Sequence, residues 1–136
     1  MKMTQIIGLT FLLLGCGSTN DFFEKDYYEK TTKISFPDNY SVVATADNGE
    51  FLTITILDLS KTDCKSFIKK YNFETVDKTS SILTGLNWLD KKYKTLPDKN
   101  LLVKEKSYTN GTGWTYYIDT INCRLYCQIN YPDKEG

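Results

Sequence analysis

The chain contains no histidine. This removes Ser-His-Asp and Cys-His nucleophilic catalysis, histidine-based zinc coordination and any charge switch driven by an imidazole near neutral pH. Arginine is nearly as scarce: Arg124 stands alone, and every other basic side chain is a lysine. Bidentate clamps on phosphate or carboxylate are therefore confined to one place. Neither sign of charge dominates, with 17 basic and 17 acidic residues. Lys2 is the sole charge in residues 1–15, so the remainder carries one acidic residue in excess. No basic stripe supplies the electrostatic footprint of nucleic-acid binding, and no nucleic-acid partner is expected. The run from Ile6 to Leu14 is apolar, but it is about half the ~20 residues needed to cross a bilayer. There is no internal repeat, no phosphate-binding glycine loop and no paired-carboxylate motif. Glu24, Asp26, Asp58, Asp63, Glu74 and Asp90 lie scattered among lysines. No cofactor and no metal site are expected.

The most informative feature present is the start. Lys2 gives a short positive region, the apolar run follows, and Gly15 is small enough for a signal peptidase pocket. A start of this kind is a secretion signal and not part of the fold. The ending Leu13-Leu14-Gly15-Cys16 resembles the lipobox of bacterial lipoproteins. An ordinary cleavage site would end in a small-x-small pattern, which Leu13-Leu14-Gly15 does not. The resemblance implies cleavage before Cys16 and diacylation of the Cys16 thiol, which becomes the first residue of the mature chain. One acyl chain anchors marginally and two anchor stably, so the domain should stay on its leaflet. In lipoproteins of two-membrane bacteria an aspartate after the cysteine marks retention at the inner membrane. Gly17 stands there instead, so the outer membrane is allowed as well as the outer face of the cytoplasmic membrane. The expected location is the cell envelope, with the domain exported and the membrane held through the lipid.

Residues 1–15 are thus read as signal peptide, 16–30 as lipidated cysteine and tether, and 31–136 as a single domain. The aromatic residues Phe22, Phe23, Tyr27 and Tyr28 are unusual for a tether. They dock back onto the domain or rest at the membrane interface. Within the domain, Thr31 to Phe36 and Tyr40 to Thr45 read as short strands separated by the turn cluster Pro37-Asp38-Asn39. Asn48-Gly49 is a hairpin signal. It leads into an alternating run, Glu50 to Asp58, in which Leu52, Ile54 and Ile56 form the better core face. Ser60 is placed to cap a helix of about ten residues carrying Cys64, Phe67, Ile68 and Tyr71 at helical spacing. Ile82, Leu86, Leu89 and Tyr93 have the same spacing and predict a second helix over about 80–94, although Gly85 interrupts it.

The C-terminal third reads as a three-stranded meander: Leu101 to Tyr108, Trp114 to Ile118, and Ile121 to Tyr131. In the last strand Ile121, Cys123, Leu125, Cys127 and Ile129 form one face and Asn122, Arg124, Tyr126, Gln128 and Asn130 the other, the pattern of a half-buried strand. The whole predicts an α+β domain. It has an antiparallel sheet of about five to six strands with one or two helices packed on one face. Asn110-Gly111-Thr112 fits a glycosylation sequon but reads better as a turn, and Asp119-Thr120-Ile121 is a turn as well.

With Cys16 lipidated, Cys64, Cys123 and Cys127 remain. Four residues along a strand span about 13 Å, whereas a disulfide needs Cα atoms within about 7 Å. Cys123 and Cys127 therefore should not join each other. Either can reach Cys64 if the Cys64 helix packs on their face, and the competing reading is three small buried hydrophobes.

Three functions remain open. The first is a non-catalytic binding or inhibitory module of the immunity, exclusion or assembly type, whose partner is an envelope or secreted protein. Its contact residues would come from Tyr108, Trp114, Tyr116, Tyr117, Tyr126 and Tyr131, since tyrosine and tryptophan are favoured in interfaces. Tyr126, on the polar face of its strand, is expected to be exposed. The second is a structural envelope lipoprotein without a specific partner. The third is an enzyme acting on envelope material through carboxylates alone, which would need two of them facing one cleft about 5–9 Å apart.

Overall fold

The alternating run becomes β2 (Leu52–Leu59), which lies one strand in from the edge of a six-stranded sheet. The computed structural model describes residues 23–47, 51–109 and 112–131. The other elements are α1 (Lys25–Thr32), β1 (Tyr40–Asp47), α2 (Lys61–Tyr71), β3 (Glu74–Thr75), β4 (Leu101–Ser107), β5 (Gly113–Asp119) and β6 (Arg124–Asn130). Two 3₁₀ turns, Thr84–Trp88 and Lys91–Tyr93, lie between β3 and β4. The strand order is β1-β2-β6-β5-β4-β3 with every neighbouring pair antiparallel. The fold is α+β, with the C-terminal meander in place and both helices on one face. The lipobox and Cys16 lie outside the described residues. Among the described residues no helix is long and apolar enough to cross a membrane.

α2 starts where its sequence says it should. The Ser60 hydroxyl accepts the Asp63 N–H at 3.1 Å, which satisfies one of the donors that a helix start leaves open. The chain leaves the helix through Asn72, in the left-handed conformation that asparagine tolerates. Phe67 and Cys64 point inward, and the lysines stay in solvent.

α1 departs from the sequence expectation. Residues 23–30, read as the end of a tether, belong to the fold, and the predicted strand Thr31 to Phe36 does not form. Tyr28 is buried and its hydroxyl reaches Thr53 Oγ1 at 3.2 Å and Thr55 Oγ1 at 3.0 Å. Phe23 packs on Tyr28, Phe36 and Tyr40. Of the aromatics in this region, Phe23, Tyr27 and Tyr28 therefore dock on the domain. The stretch after α1 alternates like a strand, with Ile34 and Phe36 buried and Ser35 exposed, yet among the described residues no strand pairs with it. Its N–H groups go to side chains instead: Ile34 N to Thr32 Oγ1, Ser35 N to the Tyr71 hydroxyl and Phe36 N to Glu29 Oε2. Buried main-chain donors need partners, but those partners need not be a ladder.

Both faces of the sheet are buried. On the helical face, Leu57, Tyr116, Ile118, Leu125, Cys127 and Ile129 meet Tyr28, Ile34, Phe36, Cys64 and Phe67. On the opposite face, Leu52, Ile54, Ile56, Val103, Tyr117 and Tyr126 meet Leu83, Leu86 and Leu89. The expected second helix is absent there. In its place the backbone at Gly85 approaches the sheet so closely that a Cβ would lie 2.7 Å from Leu52 Cδ2 and 2.9 Å from Ile54 Cβ. The Gly85 N–H is donated to Gln128 Oε1 at 2.7 Å. A helix would turn that N–H toward its own preceding turn. The strand β6 is correspondingly buried on both faces, not half-buried, and Cys123 sits in the turn before it and not in the strand.

Candidate functional site

Two solvent-facing places stand out, one at each end of the central strands. At the first, the sheet register aligns Asp58 of β2, Arg124 of β6 and Asp119 of β5 in one row. Arg124 donates to Asp58 twice, from Nε at 2.8 Å and from Nη2 at 3.1 Å. The Tyr93 ring lies 5.9 Å from the guanidinium carbon. Asp119 Oδ1 accepts the N–H groups of Ile121 and Asn122, and Oδ2 accepts the Asn122 side-chain amide. The row borders a cleft of about 390 Å³ lined by Asp58, Pro97, Asp119, Asn122, Arg124 and Tyr126.

Two carboxylates thus face one cleft, as a carboxylate enzyme would require, but their chemistry runs the other way. Burial alone would raise Asp119. Hydrogen bonds from Asn122 and Ile121, helped by nearby Arg124, outweigh it and hold the carboxyl below its ordinary range. A general acid needs the opposite shift. Asp58 gives both oxygens to Arg124. The arrangement ties three strands together at their ends. Among the described residues no group of three acidic or cysteine side chains could hold a metal ion.

At the other end of β2, Phe51 and Trp88 are 47% and 44% exposed and meet edge to face with ring centroids 6.3 Å apart. Phe51 precedes β2, and its carbonyl accepts the Tyr131 N–H at 2.8 Å. Trp88 ends the first 3₁₀ turn. Gly85 and the buried Leu86 and Leu89 hold that turn on the sheet and leave the indole outside. Val76, Ile82 and Ile121 are also exposed, each a single aliphatic side chain and not a ring pair.

The residues expected to form a contact surface are mostly not on the surface. Tyr126 is only 5% exposed, and Tyr117 and Trp114 are buried with it. Tyr126 was expected outside because its strand alternates with polar residues. The segment carrying Leu83, Leu86 and Leu89 covers that face, and burial raises the Tyr126 phenol. The Tyr117 hydroxyl donates to the Ser81 carbonyl at 2.6 Å. Tyr116 is core and donates to Thr32 Oγ1. Tyr131 is half-buried against the Tyr27 ring. Tyr108 alone is exposed, at 36%, with Lys106 Nζ 5.2 Å from its ring centre. The sequence contained one unused signal for Trp88: it falls off the apolar spacing of Ile82, Leu86, Leu89 and Tyr93. The signal is partial, since Ile82 on that spacing is exposed as well.

The three cysteines are buried free thiols. Cys127 pairs in register with Thr55 and Tyr116 in the middle of the sheet, and burial raises its thiol well above the ordinary value. Cys64 lies in the first turn of α2; burial first and the neighbouring Cys123 second push its thiol up to about 12. Compared with protein-family models, with curated protein sequences and with solved structures, the chain matches none of them.

Proposed function

We propose that this chain is a lipid-anchored, exported binding module that performs no chemistry and engages an envelope or secreted protein. The observation that carries the reading is the Phe51–Trp88 pair. Two large rings stand about half exposed and meet edge to face, whereas every other described aromatic except Tyr108 is buried or partly buried. Aromatic anchors of this kind supply contact area at low entropic cost and dominate the energetics of interfaces. Export and the anchor are supported by the lipobox resemblance at Leu13-Leu14-Gly15-Cys16, and the lack of histidine supports the non-catalytic part.

The test is in vivo crosslinking of the full-length chain in its own envelope, with captured proteins read by mass spectrometry. One stoichiometric partner is expected, lost at least about tenfold in Phe51→Ala/Trp88→Ala, as truncation of a hot spot demands. Capture of only abundant envelope proteins and peptidoglycan, unchanged by the double variant, would replace this reading with a structural envelope role. Metabolic labelling with palmitate checks the anchor separately, with Cys16→Ala expected to abolish the label.

A further inference from the structure

Cys123 occupies a costly place. It sits in the turn between β5 and β6 with φ 56°, a left-handed conformation that glycine or asparagine adopts more cheaply. Such a conformation persists only where the surroundings over-determine it. Here they do. The Cys123 carbonyl accepts the Leu59 N–H at 2.9 Å, which fixes the turn against the end of β2. Ser60 follows immediately and caps α2, and the Cys64 N–H returns to the Ser60 carbonyl at 2.8 Å. The end of β2, the cap and the turn thus bring Cys64 and Cys123 together as neighbours in the helical-face core. Cys127 lies inside β6, paired in register with Thr55 and Tyr116.

We infer that Cys64 and Cys123 form a disulfide site that closes when the chain meets a disulfide-bearing oxidant, and that Cys127 stays a free thiol. In the step, a thiolate of the pair attacks a sulfur of the donor disulfide, giving a mixed disulfide and one donor thiol. The second cysteine then displaces the other donor thiol. Two S–H bonds are lost and one S–S bond is formed in the protein; two electrons and two protons end on the donor as its two thiols. A thiol raised as Cys64 is yields little thiolate at neutral pH, so closure is fastest while α2 is still docking. That the donor is met in the cell rests on the export reading above. The chemistry of the pair does not.

The deciding experiment is refolding of the reduced, purified chain with oxidised glutathione, followed by alkylation under denaturing, non-reducing conditions and peptide mass mapping. The expected result is a Cys64–Cys123 linked peptide, an alkylated Cys127 and a Tm about 10 °C above that of the reduced chain, because the loop closed between positions 64 and 123 is long. Cys127→Ser should close normally, and Cys64→Ser and Cys123→Ser should not. A link through Cys127, or three alkylated thiols, overturns the inference. The same mapping on protein drawn from its own envelope separates the two readings. Thiols that close in the tube but are all free in the cell leave the site intact and count against export.

Discussion

On one face of the sheet, two helices lower Tyr28, Cys64 and Phe67 onto Leu57, Tyr116 and Leu125. On the other, an irregular segment lays its main chain at Gly85 directly against Leu52 and Ile54. Both faces end up equally dry, but by opposite means. A helix holds its axis several ångströms off a sheet and fills the gap with side chains, whereas a segment without helical hydrogen bonds can lie flat and needs a residue with no side chain at the point of contact. The helical face should therefore suffer when side chains are shortened, and the other face when they are lengthened.

The largest effect tests the first half. Phe67→Ala removes the ring that meets Phe36, Tyr71 and Phe73, and should lower unfolding free energy by about 4 kcal/mol in denaturant titration. Next comes Gly85→Ala, which removes no contact at all. Its new methyl group must displace Ile54 and Leu52 and stretch the bond to Gln128, and should cost about 3 kcal/mol. A neutral Gly85→Ala would break the comparison. Tyr28→Phe keeps the ring and loses only the hydroxyl shared with two threonines, so about 1 kcal/mol is expected.

The smallest effect concerns pH. Burial holds the Tyr28 and Tyr116 phenols and the Cys127 thiol above their ordinary values of 10.0 and 9.0. The folded chain keeps those protons where the unfolded chain releases them. Their contribution is complete below about pH 9 and falls as pH rises beyond it. Asp119 acts in reverse: its contribution is present above its ordinary value of 3.8 and is lost as pH falls through the lower folded value. With no histidine in between, denaturation midpoints should be level from about pH 5 to about pH 8. A slope inside that window would mean that another group is titrating.

The same contrast explains what could be read from the sequence. The cap at Ser60, the strands β1 and β2 and the meander are local signals, and each formed close to where it was expected. On the helical face α2 is legible because it carries its own cap, whereas α1, whose start at Glu24 has no side-chain cap bond, reads as tether. The strand expected at Thr31 to Phe36 failed because alternation records burial, not pairing; side chains of Glu29, Thr32 and Tyr71 took the place of a neighbouring strand. The helix expected over 80–94 failed because Leu86 and Leu89 are buried at a spacing that a flat segment also satisfies. The deciding bond joins Gly85 to Gln128, 43 positions away. Tyr126 and Gln128 looked exposed for the same reason: the cover over them leaves no periodic trace. Of the candidate site, the sequence pointed to aromatics as a class but not to Phe51 and Trp88, which a turn and a remote contact bring together.

The chain has two tryptophans, one buried beside Tyr116 and one half in water beside Phe51. Its intrinsic emission therefore has two separable sources. Trp114, in a dry site, should emit to the blue and resist acrylamide, and its red shift marks loss of the fold. Trp88 should emit to the red and be quenched readily. A partner seated on Phe51 will shield Trp88 and leave Trp114 unchanged, so binding and unfolding carry different optical signatures in the unlabelled protein.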